Sequence, residues 1–189
     1  KAARLTMFIA LPAGIGIALT SDQIVDVFLG SQWSSASVYL RWLSLAVMLT
    51  AYYQPVYSLC IAIDQPNLLL KINILETVTK LPLLTVAFYT GGLLLMLYAR
   101  VLAAALHFLI SAIYARRVIG ASITAQMRNL WQVALSCIAM ALSVLLLENL
   151  LQRVAVGSIG QLAAMSGCGA VVYAASMHLC GFRLRALRQ

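Results

Sequence analysis

Residues Leu68–Ala115 read LLLKINILETVTKLPLLTVAFYTGGLLLMLYARVLAAALHFLISAIYA. Two apolar runs, Leu68–Tyr89 and Leu93–Ala115, flank the short turn TGG at Thr90–Gly92. A membrane-spanning helix needs about 20 predominantly apolar residues. The stretch therefore has the length of two spans joined by a tight turn. Glu76, Lys80 and Arg100 lie inside it, where charge costs most.

Composition extends that reading to the whole chain. Its 189 residues are 63% hydrophobic and only 10% charged, with a mean hydropathy of +0.95. Soluble globular chains average about 45–50% apolar and about 25% charged residues. A chain this apolar cannot cover its own surface with polar groups, which argues against a soluble enzyme and for a multi-spanning membrane protein. The net charge of +8 does not imply nucleic acid, because the basic residues sit mostly between apolar runs. Cys60, Cys137, Cys168 and Cys180 fall inside apolar runs without CxxC spacing, so free thiols are expected, with neither a disulfide framework nor a metal site.

Six segments qualify as spans: Leu5–Phe28, Val38–Ile63, Leu68–Tyr89, Leu93–Ala115, Leu130–Leu151 and Ile159–Phe182. The expected architecture is an all-α, multi-pass transmembrane bundle forming a single domain over residues 1–189. Pro12, Gly14 and Gly16 loosen the first span. Ser21–Gln23 (SDQ) marks its expected outer end, and IVDVFLG reads as an interfacial turn or short helix. Lys1, Arg4, Lys71, Arg116, Arg117, Arg128, Arg183, Arg185 and Arg188 fall on one side of the bundle, against Arg153 alone on the other. By the positive-inside rule both ends of the sequence are expected in the cytoplasm. The opening KAARLTMFIALP lacks both Met and a signal-peptide cleavage site, so the chain reads as a piece of a longer protein.

Short connections predict that consecutive spans pack as antiparallel neighbours. Small residues at Gly157, Gly160, Ala163, Ala164, Gly167, Gly169 and Ala103–Ala105 would let backbones approach closely.

The intramembrane charges carry the functional question. Counted from the TGG turn, Lys80 and Arg100 fall at similar depth on adjacent antiparallel helices, with Glu76 one turn deeper than Lys80 and His107 two turns deeper than Arg100. A charge at the bilayer centre costs about 2.5–3.5 kcal/mol or more, so these groups should face a bundle interior or a water-filled cavity. Glu76 can pair with Lys80 at i,i+4, which leaves Arg100 as surplus positive charge. A cationic wall suits an anionic cargo such as a phosphate or diphosphate. Arg41 reads differently, as a side chain snorkelling to the interface beside Trp33, Tyr39 and Trp42.

The second span holds AYYQPVYSLC at Ala51–Cys60. Pro55 is expected to kink it. Tyr52, Tyr53, Gln54 and Tyr57 then gather around the kink, either as packing residues or as sugar contacts. Pro82 predicts a second kink beside the charged pair. No HExxH, Asp-rich diphosphate motif, GxSxG or P-loop is present; no enzyme activity, metal or cofactor is expected. His107 and His178 read as buried, satisfied histidines.

The ordered features resemble the polysaccharide transporter and O-antigen flippase family. LPAGIGIALTSDQIVDVFLGSQWSSASVYLRWLSLA is similar to its pattern of a Pro/Gly-containing span leading to a Gly, a Trp and a following helix, carried here by Pro12, Gly14, Ile24, Val25, Gly30, Trp33, Ala36, Leu40 and Leu43. The turn AIDQPN follows, then the hairpin on which Lys80, Pro82, Gly91, Arg100 and Arg116 occupy matching places. The resemblance covers essentially the whole chain, as roughly the last six helices of a two-lobed transporter.

It implies flipping of an undecaprenyl-diphosphate-linked oligosaccharide across a bacterial inner membrane, for O-antigen, lipopolysaccharide or exopolysaccharide synthesis. The partners implied are that lipid-linked oligosaccharide, the bilayer and an N-terminal lobe. The expected cavity charges are Lys80, Arg100 and Glu76, with Tyr53, Gln54 and Tyr57 as possible sugar contacts. Two other readings stand beside it: a multidrug or organic-cation antiporter of the same superfamily, with Glu76 as the titrating group, and a membrane scaffold subunit.

Overall fold

A computed structural model of the chain describes residues 2–51, 53–62, 64, 66–119, 123–151 and 157–179. The side chains of residues 2–5, 56, 59, 115–119 and 123–130 lie outside that description. So do the whole of Tyr52, Arg153, Cys180, Arg183, Arg185 and Arg188, so the readings made on them, and on Arg116, Arg117 and Arg128, are not addressed.

All regular structure among the described residues is helical: α1 (Ala2–Leu19), α2 (Ser21–Phe28), a 3₁₀ turn at Ser31–Trp33, α3 (Ala36–Thr50), α4 (Tyr53–Ala62), α5 (Pro66–Ile119), α6 (Ile123–Leu151) and α7 (Ser158–Leu179). A straight helix as long as α5 would extend about 80 Å, far beyond a hydrocarbon core about 30 Å thick. Gly92 resolves this. Its φ of 67° and ψ of −157° are the one non-helical conformation within α5, and they lie in a region essentially closed to residues with a Cβ. The chain reverses there into two arms, α5a (residues 66–91) and α5b (residues 93–119). Leu83, Ala87 and Thr90 of α5a face Leu95, Ala99 and Leu102 of α5b across a shared groove. With α1 and α2 forming one bent span and α3 and α4 another, six spans result. The chain is an all-α, multi-pass membrane bundle.

Large apolar side chains point outward on most helices, among them Leu81, Val86, Ile138, Leu146 and Val171. In water this would expose costly surface; against lipid it is the stable arrangement. Hydroxyls in the spans follow the same logic. Thr79, Thr85, Thr90 and Ser136 donate to carbonyls one turn back, at Leu75, Leu81, Val86 and Gln132 (2.7–2.9 Å), so none is left bare to hydrocarbon.

Packing departs from simple succession. The arms of α5 pack on α3 and α4, and α6 packs on α7, but α5b and α6 barely touch. Instead α1 runs between the two groups, against α3 and α4 on one side and α6 on the other. Leu11 of α1 contacts both apolar cores, one built on Met7, Cys60 and Ala112 and the other on Val133, Cys137, Met140, Tyr173 and Met177. Two close approaches fix α1 and α7. A Cβ at Gly14 would lie 2.6 Å from Met48 Cβ, and one at Gly169 would lie 3.2 Å from Val144 Cγ2. Gly157 and Gly167 face open space, so of the expected small-residue stripe Gly169, together with buried Ala103 and Ala104, serves close packing.

The prolines act in three different ways. The regular helix of the second span lapses at Ala51, whose carbonyl accepts from Gln54 N–H at 3.3 Å. Pro55, four residues on, has no N–H to offer it, a disturbance at the place expected. α5a keeps helical dihedrals through Pro82; the bend that matters is at Gly92. Pro12 stands inside α1 and frees the carbonyl of Phe8, four residues back. Tyr173 Oη of α7 donates to that carbonyl at 2.8 Å, with its ring tilted against Phe8 at 5.6 Å between centroids. One proline thus creates the acceptor that ties α7 to α1.

The first span is bent by 70° between α1 and α2, and SDQ starts α2 rather than ending α1. Asp22 in the first turn complements the helix N-terminus. Arg41 of α3 pairs with Asp22 at 2.6 Å and donates from Nε to Ser21 Oγ at 3.2 Å. Asp26 accepts a hydrogen bond from Ser158 of α7. Arg41 thus clamps α2, a contact that the expected snorkelling beside Trp33, Tyr39 and Trp42 does not include. Trp42 instead packs edge-on against Tyr98 of α5b, 4.7 Å between centroids.

Candidate functional site: a charged cluster in the α5 hairpin

The reversal at Gly92 sets the register of the two arms. Glu76 lies 16 residues before Gly92 and His107 15 after it, which brings them face to face. Glu76 Oε2 is 3.1 Å from His107 Nδ1 and its Oε1 is 3.7 Å from Lys80 Nζ. His107 is only 3% exposed, whereas Glu76 and Lys80 retain 27% and 34%. The buried Nδ1 nevertheless has no hydrogen-bond partner among the described residues. His107 is therefore buried as expected but not satisfied, and His178, by contrast, is exposed near the end of α7.

From α4, Tyr53 closes the cluster. Its ring stands edge-on to His107, 4.7 Å between centroids, and close to Tyr57 at 5.8 Å. Its hydroxyl donates to Asn73 Oδ1 of α5a at 2.9 Å. Gln54 and Tyr57 are exposed.

Arg100 sits eight residues after Gly92 and Lys80 12 before it, a difference of about one helical turn. They are thus not opposite one another. Arg100 is half-buried and has no ion pair among the described residues. Glu76, Thr79, Lys80 and His107 line a crevice of about 10 Å³, room for about one water molecule. Charge and volume are separated: a cleft of about 500 Å³ opens between α1, α6 and α7, lined by apolar residues such as Ile9, Ile17, Leu162 and Met165.

Sequence reasoning missed the Glu76–His107 contact although the signal was present. Depths counted from Gly92, the non-helical residue within α5, pair Glu76 with His107, whereas counting from the edges of the TGG turn pairs Lys80 with Arg100.

The fold and this cluster define the class: a multi-pass helical membrane protein with ionisable side chains held within its spans. The family model described as polysaccharide biosynthesis protein matches residues 1–38, which comprise α1, α2, the 3₁₀ turn and the first residues of α3. That portion of the chain is similar to a polysaccharide biosynthesis family; the charged hairpin lies outside the matched residues. Comparison with curated proteins and with solved structures returned no match.

Proposed function

We propose that the chain forms part of a transporter that flips a lipid-linked oligosaccharide, carried on undecaprenyl diphosphate, across a bacterial inner membrane for polysaccharide export. The observation that carries this reading is the similarity of residues 1–38 to a polysaccharide biosynthesis family in a chain built as a multi-pass membrane bundle. In this reading residues 1–189 act as one transmembrane unit, the second lobe of a two-lobed protein, with both ends in the cytoplasm.

Lys80, one-third exposed, and Arg100, without an ion pair among the described residues, supply surplus positive charge toward the diphosphate, with Arg offering a fork of donors. Glu76 limits that charge by pairing with Lys80. Tyr53, Gln54 and Tyr57 of α4 serve as sugar contacts, the tyrosines through their rings and the glutamine through its amide. No cofactor enters, and transport proceeds without covalent chemistry.

The test replaces Lys80 and Arg100 together by Gln in the intact protein, with its membrane level checked. Export of the polysaccharide should fall at least tenfold, and lipid-linked oligosaccharide should accumulate in the cytoplasmic leaflet. Normal export at a normal protein level overturns the site assignment. Normal export after deletion of the gene overturns the function, and loss of export with no accumulated lipid-linked precursor points to the scaffold role instead.

A further inference from the structure

The buried polar atoms of α5b are unequally provided for. Among the described residues, three buried side-chain atoms have no hydrogen-bond partner, and two of them, His107 Nδ1 and Ser111 Oγ, lie one turn apart on α5b. A buried polar atom without a partner is uncommon and calls for a role. His107 lines the crevice shared with Glu76 and Lys80, and a carboxylate oxygen lies 3.1 Å from its Nδ1. Imidazole is the side chain whose charge changes most readily near neutral pH. Ionisable groups held inside transmembrane segments mark ion and proton pathways by default.

We propose that Glu76 and His107 form a proton-binding site within the hairpin, holding one exchangeable proton on the imidazole beside the carboxylate. The ligand is the proton itself: among the described residues no cluster of three or more His, Cys, Asp or Glu side chains could hold a metal ion. The partly exposed carboxylate and ammonium open the crevice to exchange, and its volume admits about one water molecule as the carrier.

The groups facing His107 act in opposite senses. Glu76, 3.1 Å from Nδ1, carries the charge opposite to an imidazolium, whereas Lys80 on the same arm and Arg100 on α5b carry the like charge. From α4, Tyr53 meets the ring edge-on and remains a neutral hydroxyl donor to Asn73. Loading the proton raises the formal charge of Glu76, His107, Lys80 and Arg100 taken together from +1 to +2. It also strengthens the contact between α5a and α5b across the hinge at Gly92. Its coupling to an anionic cargo rests on the proposed function; the proton site does not.

The experiment uses the full chain in lipid nanodiscs with His178→Gln, which leaves His107 as the one histidine of the two in the sequence. Imidazole ¹⁵N resonances are followed from about pH 5 to 9. His107 should titrate within that range. Glu76→Gln should lower its proton affinity about tenfold or more, and Lys80→Gln should raise it. Size-exclusion profiles and helical circular dichroism verify each fold, and Lys80→Gln serves should Glu76→Gln fail to assemble. A resonance that does not move with pH, or a midpoint indifferent to the charge at position 76 or 80, overturns the site. Normal titration with undiminished export in the Lys80 and Arg100 double variant retains the proton site and removes the cargo assignment. A flat titration with export lost in that variant does the reverse.

Discussion

In the α5 hairpin, Glu76, Lys80 and His107 converge on a crevice of about 10 Å³, whereas the cleft between α1, α6 and α7 is about 500 Å³ and has no charged side chain in its lining. The two regions handle the absence of water by different means. The hairpin gives its carboxylate close partners, the His107 imidazole at 3.1 Å and the Lys80 ammonium at 3.7 Å. The cleft removes polarity at its source: the carbonyl freed by Pro12 is capped by Tyr173, and the remaining lining is nearly all aliphatic. A buried charge demands close partners, so the hairpin is tight; dispersion contacts alone permit the wider space beside α1.

Substitutions should separate these two regions. The largest effect is expected at the hinge of the hairpin. Gly92→Val forces a β-branched side chain into a φ of 67°, at a strain of up to about 3 kcal/mol. Thermal unfolding in nanodiscs should show the greatest loss of any single change considered, and Cys cross-linking between positions 83 and 99 should fall; native cross-linking would mean that the reversal does not depend on this glycine.

In the cleft, Tyr173→Phe keeps the ring and removes the cap on Phe8. It should cost about 1–2 kcal/mol, the penalty of one orphaned carbonyl. Replacing Pro12 by Ala in the same protein restores the helical N–H and should recover most of the loss. A double variant no better than Tyr173→Phe would break the link drawn between the proline and the tyrosine.

A smaller effect is expected where charges already compete. Glu76→Gln removes the shared partner of Lys80 and His107 and should cost about 0.5–1.5 kcal/mol, as interhelical polar contacts in membranes do. Melting curves of Glu76→Gln with and without His107→Leu read that coupling directly, and strictly additive losses would contradict it. Smallest of all is Arg41→Gln at the outer clamp. Its partner Asp22 is half exposed, and such pairs contribute about 0–1 kcal/mol, so stability should hardly change while fluorescence of Trp33 reports a looser α2.

Much of the architecture was legible from residues alone. Runs of about 20 apolar residues have few options besides spanning a membrane, so the six spans and the TGG turn followed from the pattern of Leu, Ile, Val and Ala. The i,i+4 pairing of Glu76 with Lys80 was equally local, since helix geometry brings such residues together wherever the helix lies. The disturbance before Pro55 was legible too, because a missing N–H is felt four residues back in any helix. Pro82, by contrast, sits within α5a without leaving helical dihedrals.

The sequence by itself determined that this protein is a helical membrane bundle with charges inside its third and fourth spans, because hydrophobic length and helical periodicity are properties of short segments. Only the tertiary structure decided that Glu76 meets His107, that Arg41 clamps α2, and that α1 stands between α5 and α6. Those contacts depend on one reversing glycine and on side-chain shapes distant in sequence, and no local pattern specifies either.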